Sequence, residues 1–222
     1  HEGWYTGVEK RGVVKVADEY GKTELPYALT LFKKQLLGDY SASLILLKTL
    51  NPVAEDVVGD LYYEMHEEKW EVYVVTEIDK DAWPSGTGII KAGLHPDKIV
   101  EYQQNHAEKW REVLLKDFKQ AIAEYENVRR QIDESTREIS TELSAQELSL
   151  REKAAEFVGN CSVKVGDIVS FPVFQLHSLQ HGIKVIEFQT PHYERLIVMF
   201  AQKVLTQKHW DTADALSKMH PE

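Results

Sequence analysis

Short runs in which apolar and polar residues alternate occupy about the first ninety positions, and this period of two is typical of β-strands. The runs are rich in Val, Leu, Tyr and Thr, and they are separated by Gly, Pro and Asn-Pro, which favour turns. A further turn is predicted at 83–88. Strands this short and this close together are expected to pair antiparallel. We predict strands at 12–16, 27–36, 43–50, 60–65 and 71–76.

A helical period replaces this alternation between Pro96 and Gly159. The apolar residues of the first helix are spaced by four and three positions in turn, so they lie on one face. The segment from Ser144 to Glu147 has the form of a capping box, from which a second helix is predicted to run to a C-terminal cap at Gly159. The two helices are expected to form an antiparallel hairpin that either packs on the strands or makes a dimer contact. The residues of the apolar face are Leu114, Phe118, Ala121, Tyr125, Val128 and Ile132.

Strand-like runs return after Cys161, and the chain is predicted to end in a short helix. Asp211 is a favourable N-cap residue, so this helix is expected to run from there to about Met219. The order of elements predicts a mainly β protein, a jelly-roll sandwich or barrel with an inserted helical hairpin and a short C-terminal helix. The later strands are predicted at 167–171, 182–189 and 193–203.

We expect one domain overall, built from three parts. Residues 1–95 hold the N-terminal strands, residues 96–159 form the helical insertion, and residues 160–222 hold the remaining strands and the C-terminal helix. A chain of 222 residues, of which 43% are hydrophobic, is long and apolar enough to form a core. This composition excludes a disordered chain.

The chain is acidic, with 26 Lys and Arg residues against 36 Asp and Glu residues and a formal net charge of −10. Such a surface repels phosphate backbones and anionic lipids, so we expect neither a nucleic acid nor a membrane as partner. The longest apolar run, 196–201, is too short to span a bilayer. Cys161 is the only cysteine and no signal peptide is visible, so we predict a cytoplasmic protein. The first residue is His1 rather than Met, so a segment upstream of it could have been removed.

Four side chains of metal-binding types are predicted to converge. Glu64 and His66 are two residues apart on one strand and so point to the same face, and Glu71 begins the next strand after a short turn. A later strand brings a second imidazole, His177. Two imidazoles and two carboxylates suit Zn, Fe, Mn or Ni. The alternative is that the carboxylates are solvated charges at a strand edge and that the histidines are ordinary polar residues.

Two glycine-led motifs give the sequence a family resemblance. Gly59-x4-Glu64-x-His66-x4-Glu71 resembles the first motif of the cupin superfamily, and Gly166-x5-Pro172-x-Phe174-x2-His177 resembles the second. The chain is more closely similar to the class I mannose-6-phosphate isomerases, over about residues 43–219. The further features that carry this resemblance are Lys69-x-Glu71, Gly166-Asp167, Ile186-Glu187-x-Gln189 and Arg195.

The resemblance implies a metal-dependent isomerase that interconverts an aldose and a ketose, with a hexose phosphate of the mannose 6-phosphate and fructose 6-phosphate type as substrate. By the same resemblance the catalytic residues are Arg195, which matches the family's catalytic arginine, Lys69, which matches a lysine near the sugar, and Glu187, which would serve in proton transfer. A small-molecule sugar or sugar phosphate is the expected partner, and a homodimer is left open. The implied cofactor is one divalent metal ion, zinc, with the ligands Glu64, His66, Glu71 and His177.

The chain departs from the family pattern at three positions. Glu64 replaces a glutamine ligand, which adds a negative charge and shifts the expected metal toward manganese or iron. Glu67 stands where a proline follows the first histidine, and Phe174 replaces a glycine. Two alternatives therefore stay open: a cupin that binds a metal or a sugar without turnover, and a metal-dependent oxygenase. Arg195 alternates with Ile197 and Met199, so its side chain is predicted to turn toward the interior of the barrel.

Overall fold

The structure is a computed structural model that describes residues 2–5, 13–31, 46–190, 192, 194–199 and 210–219. The strands in these ranges are β1 (Glu2–Tyr5), β2 (Lys15–Asp18), β3 (Gly21–Glu24), β4 (Leu46–Leu50), β5 (Tyr63–Met65), β6 (Glu71–Ile78), β7 (Gly88–Leu94), β8 (Val158–Val163), β9 (Ile168–Phe171), β10 (His177–Ser178), β11 (Ile183–Gln189) and β12 (Leu196–Met199). The α-helices are α1 (Leu25–Thr30), α2 (Pro96–His106), α3 (Trp110–Asp133), α4 (Thr141–Ala155) and α5 (Thr212–Lys218).

Two 5-stranded antiparallel sheets face each other. The first sheet has the order β1-β4-β11-β6-β9 and the second has the order β12-β5-β10-β7-β8, while β2 and β3 form a hairpin. Buried apolar residues of both sheets, such as Tyr73 and Val185 of the first and Ile90 and Val163 of the second, form one cluster between them. The predicted antiparallel β-sandwich is confirmed.

Alternation along the strands decides which side chains enter the space between the sheets. In β6, Glu71, Tyr73 and Val75 are buried, and the residues between them are half-buried. The register places Lys48 of β4 and Tyr73 of β6 on either side of Glu187 in β11, so these three side chains lie in one row. All three are buried, and the interior of the first sheet therefore contains charged groups.

The predicted helical insertion is confirmed, and it packs against the second sheet through another apolar cluster. This cluster joins the apolar face of α3 to Met65 of β5 and Ile197 of β12. Ile132, at the end of that face, is only half-buried. The buried residues of the predicted face are Leu114, Phe118, Ala121, Tyr125 and Val128.

The prediction of a strand over 27–36 is wrong where the chain is described. Residues Leu25–Thr30 form α1, and Pro26 lies in its first turn, where a fixed φ and a missing amide hydrogen suit a helix. Residues 32–36 lie outside the described residues. The strand predicted at 12–16 is displaced, because β2 begins at Lys15 and pairs with β3.

The second helix of the hairpin begins and ends earlier than predicted. Its N-cap is Ser140, whose hydroxyl accepts a hydrogen bond from the amide of Leu143 at 3.1 Å, and Ser144 lies inside α4. Gly159 is not a helix cap: it lies in β8, where an added Cβ would meet the backbone oxygen of Ala92 at 2.5 Å. That close approach comes from β7, a strand that was not predicted.

The end of the chain follows the prediction with one difference. The ranges of β9 and β11 confirm the strands predicted at 167–171 and 182–189, while 193 and 200–203 of the last predicted strand lie outside the described residues. The predicted C-terminal helix is confirmed as α5, but the Asp211 carboxylate accepts a hydrogen bond from the amide of Ile197 instead of capping it. Among the described residues, no helix combines the length and the apolar character that crossing a membrane requires.

Candidate metal centre

Two neighbouring strands of the second sheet, the turn after one of them and the first residue of a strand in the first sheet bring the four predicted metal-binding side chains together. Glu64 lies in β5, and His177 lies directly opposite it in β10. His66 follows β5, and the turn after it carries the chain to the first sheet, where Glu71 begins β6. The cluster therefore lies where the chain crosses from one sheet to the other.

The potential ligand atoms of these four residues all lie within 4.8 Å of one another. Nε2 of His177 is 3.0 Å from Oε2 of Glu71, and Nε2 of His66 is 3.5 Å from Oε1 of the same carboxylate. Oxygen atoms of Glu64 lie 3.7 Å from His66 and 3.9 Å from His177. Glu64 is half-buried and the other three are buried, so the group is largely shielded from solvent.

Each imidazole is held with its Nε2 atom toward the carboxylates. Nδ1 of His66 lies 3.0 Å from the backbone oxygen of Glu194, and Nδ1 of His177 lies 3.1 Å from that of Gln175. Because a carbonyl oxygen only accepts hydrogen bonds, each Nδ1 carries the hydrogen and Nε2 faces the cluster. Within the described part of the chain, the buried Nε2 of His66 has no hydrogen-bond partner. This donor set, with imidazoles oriented by backbone carbonyls, fits a divalent metal ion.

Opposing effects set the protonation of the cluster. Burial lowers the pKa of His66, but the nearby carboxylates of Glu194, Glu71 and Glu64 outweigh burial and raise this pKa to about 9. Burial raises the pKa of Glu71, yet His177, His66 and Lys69 hold it well below its ordinary value. In the metal-free protein the cationic imidazole and the anionic carboxylate therefore stabilise each other. A bound cation would take the place of the imidazole proton.

Two buried lysines lie beside the cluster. Nζ of Lys69 is 2.6 Å from Oε1 of Glu71. Burial lowers the pKa of Lys69, but the charges of Glu71 and Glu64 outweigh burial and raise it, so this ammonium group stays charged. Nζ of Lys48 is 2.8 Å from Oε1 of Glu187 and 4.0 Å from Oε1 of Glu71. Lys48 was missed in the sequence, although it is the one charged residue of the run Leu46–Leu50.

Glu187 lies opposite Lys48 and is almost fully buried. Burial raises the pKa of Glu187, and the negative charge of Glu71 adds to this, so the pKa reaches about 8 in spite of the neighbouring ammonium group. A carboxyl group that titrates near neutral pH is suited to give and take a proton. The catalytic roles of Glu187 and Lys69 stay predictions.

Comparison with known proteins identifies the fold. No protein-family model matches the sequence, and no curated protein sequence is significantly similar to it. A zinc-bound mannose 6-phosphate isomerase matches 100% of this chain and 66% of its own length, with a TM-score of 0.60 and 11% identity. The chain has a cupin fold. A mutant phosphomannose isomerase from Salmonella typhimurium (TM-score 0.59, 12% identity) and the mannose 6-phosphate isomerase from Bacillus subtilis (0.56, 12%) also match.

The structural matches cover nearly all of this chain but only part of each isomerase chain. It covers 100% of this chain and 65% of the Salmonella protein, and 99% of this chain and 58% of the Bacillus protein. The chain thus spans about two thirds or less of the length of these isomerases. At such low identity the likeness establishes the fold, and the predicted cupin architecture is confirmed.

Arg195 is exposed, whereas alternation predicted that it turns toward the interior. Its guanidinium group donates a hydrogen bond to the hydroxyl of Tyr62 and lies 4.9 Å from the centroid of that ring. The prediction is wrong because Arg195 precedes β12, so the alternation of that strand does not extend to it. Its catalytic role stays a prediction.

Glu194 is a site residue that was not predicted. Its carboxylate accepts hydrogen bonds from the backbone amides of Glu68 and Lys69 at 2.8 and 2.7 Å. Burial raises the pKa of Glu194, but its interaction with His66 and the two amide hydrogen bonds outweigh burial and lower it. No local pattern marks this residue, because its partners lie 126 and 125 positions earlier in the chain.

A second group of potential ligands comprises Asp56, Asp60 and His181. Oδ1 of Asp60 accepts hydrogen bonds from the backbone amide and from Nδ1 of His181, at 2.9 and 2.7 Å. The imidazole also stacks on Trp83, and Asp56 is exposed. These contacts fix the loop before β11, so we assign this group a structural role.

Proposed function

We propose that this protein is a metal-dependent isomerase that interconverts an aldose and a ketose, with a hexose phosphate of the mannose 6-phosphate and fructose 6-phosphate type as substrate. One observation carries the proposal: the cluster of metal-binding side chains lies beside the buried Lys69 and the buried pair of Lys48 and Glu187. The fold is that of mannose 6-phosphate isomerases, one of which was solved with zinc bound.

The proposed cofactor is one divalent ion held by Glu64, His66, Glu71 and His177. Zinc is proposed because imidazole nitrogen and carboxylate oxygen are its ordinary ligands in catalytic sites. The two carboxylates also suit manganese or iron, and Glu64 strengthens that alternative because it stands where the isomerase family has glutamine. When bound, such an ion supplies a Lewis acid that polarises the carbonyl oxygen of the sugar.

Glu187 is proposed as the group that moves the proton. From aldose to ketose, a base takes the proton from C2 and returns it to C1, while the hydroxyl at C2 loses the proton that the oxygen at C1 gains. The pKa of this carboxyl group, about 8, is close to the working pH, so the group can both take and return the proton. Lys48, at 2.8 Å, favours the ionised carboxylate that must exist before the proton is taken.

Fixed cations are proposed to stabilise the negative charge that develops on the two sugar oxygens. Lys69 lies at the edge of the cluster, and Arg195 is proposed to contact the substrate from the surface. One ion pair at about 4 Å contributes roughly 4 kcal/mol at an effective dielectric of about 20. The repulsion from distant surface charges is screened within roughly 8–10 Å at physiological salt. Local cations should therefore outweigh the overall charge of −10.

Metal-replete protein incubated with mannose 6-phosphate, fructose 6-phosphate and the two free hexoses tests the proposal. We expect the phosphorylated pair to be interconverted with a higher kcat/KM than the free sugars, and the activity to disappear with a chelator and return with zinc. Glu187→Gln should lose most of the turnover, whereas Glu77→Gln, a change at an exposed position of β6, should keep it. Equal rates on the free sugars would reject the phosphate requirement, and no conversion of any sugar would reject the isomerase.

The second candidate is a cupin that binds a metal or a sugar without turnover. The contact between Arg195 and Tyr62 favours it, because an exposed arginine held against a tyrosine is not turned toward the buried cluster. Calorimetric binding of a sugar that is recovered unchanged would support this candidate. Oxygen uptake with Fe(II) and an organic co-substrate would instead indicate an oxygenase.

A further inference from the structure

We infer that Glu194 is a positioning residue of the metal centre: its carboxylate fixes the turn between His66 and Lys69, and thereby holds the His66 imidazole toward the metal ion. The inference rests on the proposed function, because this role exists only if the cluster binds a metal. Glu194 itself is not one of the four residues whose potential ligand atoms form the cluster.

Glu194 contacts this turn through both its backbone and its side chain. Its backbone oxygen accepts the hydrogen bond from Nδ1 of His66 at 3.0 Å, and Oε2 of its carboxylate lies 3.5 Å from the same nitrogen. Oε1 accepts the hydrogen bonds from the amides of Glu68 and Lys69. Two successive amides directed at one carboxylate form a small anion-binding nest. Glu194 thus binds the segment that carries one ligand and one buried cation of the centre.

The middle of the turn depends on Glu194 more than its ends do. At one end, the backbone oxygen of His66 accepts a hydrogen bond from the amide of Phe174 at 2.7 Å. At the other end, Trp70 exchanges hydrogen bonds with Thr190. Residues 66–70 belong to neither a strand nor a helix. The carboxylate of Glu194 therefore supplies the hydrogen bonds that a regular element would have supplied between those two ends.

Glu194 is itself firmly anchored. Two residues later β12 pairs with β5, with Leu196 opposite Met65. The next residue, Arg195, lies over the ring of Tyr62, which precedes β5. The segment that carries Glu194 is thus attached to the same strand whose end carries His66. Rigid support of this kind is what the orientation of a metal ligand requires.

The size of the effect follows from what a substitution would remove. Loss of a contact that orients a metal-bound imidazole typically weakens metal binding by about 10–100-fold. Glu194→Ala removes the carboxylate but leaves the backbone oxygen that accepts from Nδ1 of His66. The expected loss of affinity therefore lies near the lower end, at about tenfold.

Zinc affinity measured by competition with a chromophoric chelator tests the inference, together with the visible absorption spectrum of the Co²⁺-loaded protein. Glu194→Ala and Glu194→Met both remove the acceptor, and Met keeps the side-chain volume, so the test does not depend on the alanine variant folding. Both should bind zinc about tenfold more weakly and change the Co²⁺ spectrum. Glu194→Gln keeps an oxygen for the two amides and should stay within about threefold of the unchanged protein.

Glu68→Ala is the matched control, because it also removes one negative charge next to this turn, while the Glu68 side chain is exposed and contacts His192. It should leave the zinc affinity unchanged. Unchanged affinity in the alanine and methionine variants would overturn the inference and leave the proposed function intact, even if their metal-free forms melted at a lower temperature. A glutamine variant as weak as the alanine variant would also overturn it, since charge rather than position would then be responsible. If the unchanged protein binds no zinc, the proposed function fails and the inference fails with it.

Discussion

The metal-free protein is expected to lose stability as the pH rises, because the His66 imidazole is charged in the fold. Its pKa is about 9 in the folded protein, against 6.5 for an ordinary imidazole. A pKa that is raised on folding contributes stability that is fully present below the unfolded-state value. This contribution is lost as the pH rises from about 6.5 through about 9.

The contacts of His66 give the size of this contribution. Its Nε2 atom lies 3.5 Å from a carboxylate oxygen of Glu71 and 3.7 Å from one of Glu64, and its side chain is buried, so salt screens these charges little. A pKa raised from 6.5 to about 9 corresponds to about 3 kcal/mol in the free energy of unfolding. Since whole domains are stabilised by about 5–15 kcal/mol, a change of this size is readily measured.

Urea unfolding of chelator-treated protein at about pH 6 and about pH 10 is the assay. The loss of stability caused by His66→Gln should be about 3 kcal/mol larger at the lower pH than at the higher pH. His192→Gln, a change at an exposed histidine, should show no such trend. Stabilisation by saturating zinc should instead increase with pH, because the imidazole binds the ion only when neutral. A His66→Gln effect that is the same at both pH values would refute the reasoning.

Three further substitutions test other parts of the structure. Lys69→Met removes the ammonium group 2.6 Å from Glu71 and should narrow the difference in kcat/KM between phosphorylated and free hexose; an unchanged ratio in steady-state kinetics would contradict this. Arg195→Ala should keep the zinc content and the Tm, because the side chain is exposed, yet lose most of the turnover. Near-normal activity of this variant would show that Arg195 has no catalytic role. Gly59→Ala places a Cβ 2.0 Å from the backbone oxygen of Val53 and should lower the free energy of unfolding by about 1–3 kcal/mol, which an unchanged urea midpoint would disprove.

Local rules were enough to predict most of the metal cluster. Glu64 and His66 share a face because they are two residues apart, and a short turn brings Glu71 to them. His177 is different, because it reaches Glu71 across 106 positions of the chain. Alternation within a strand cannot specify such a contact, which depends on the pairing of β10 with β5. The sequence placed His177 only on a later strand, and the resemblance of the second motif to that of the cupins supported its convergence with the other three residues.

The residues that were missed are those whose burial depends on a distant partner. Alternation along β4 points the side chain of Lys48 toward the interior. Lysine is rarely buried, so a lysine at an inward-facing position ordinarily argues against that strand assignment. It is accommodated because the register of β4 and β11 places Glu187 beside it. The failed assignment of Gly159 has a similar origin: a glycine after a helix suggests a cap, whereas here it allows the close approach of β7.

The charges around the cluster explain how an acidic protein would accept an anionic substrate. With both imidazoles neutral, Glu64 and Glu71 carry two negative charges, so a divalent ion leaves the cluster uncharged. Lys69 then adds a positive charge beside it, and Lys48 adds another that Glu187 offsets only when ionised. Burial raises the pKa of Glu187, so that offset is incomplete at neutral pH. Charges on the outer surface act weakly beyond roughly 8–10 Å, so under the proposed function we expect Lys69 and Lys48, rather than the overall charge, to attract the anionic substrate.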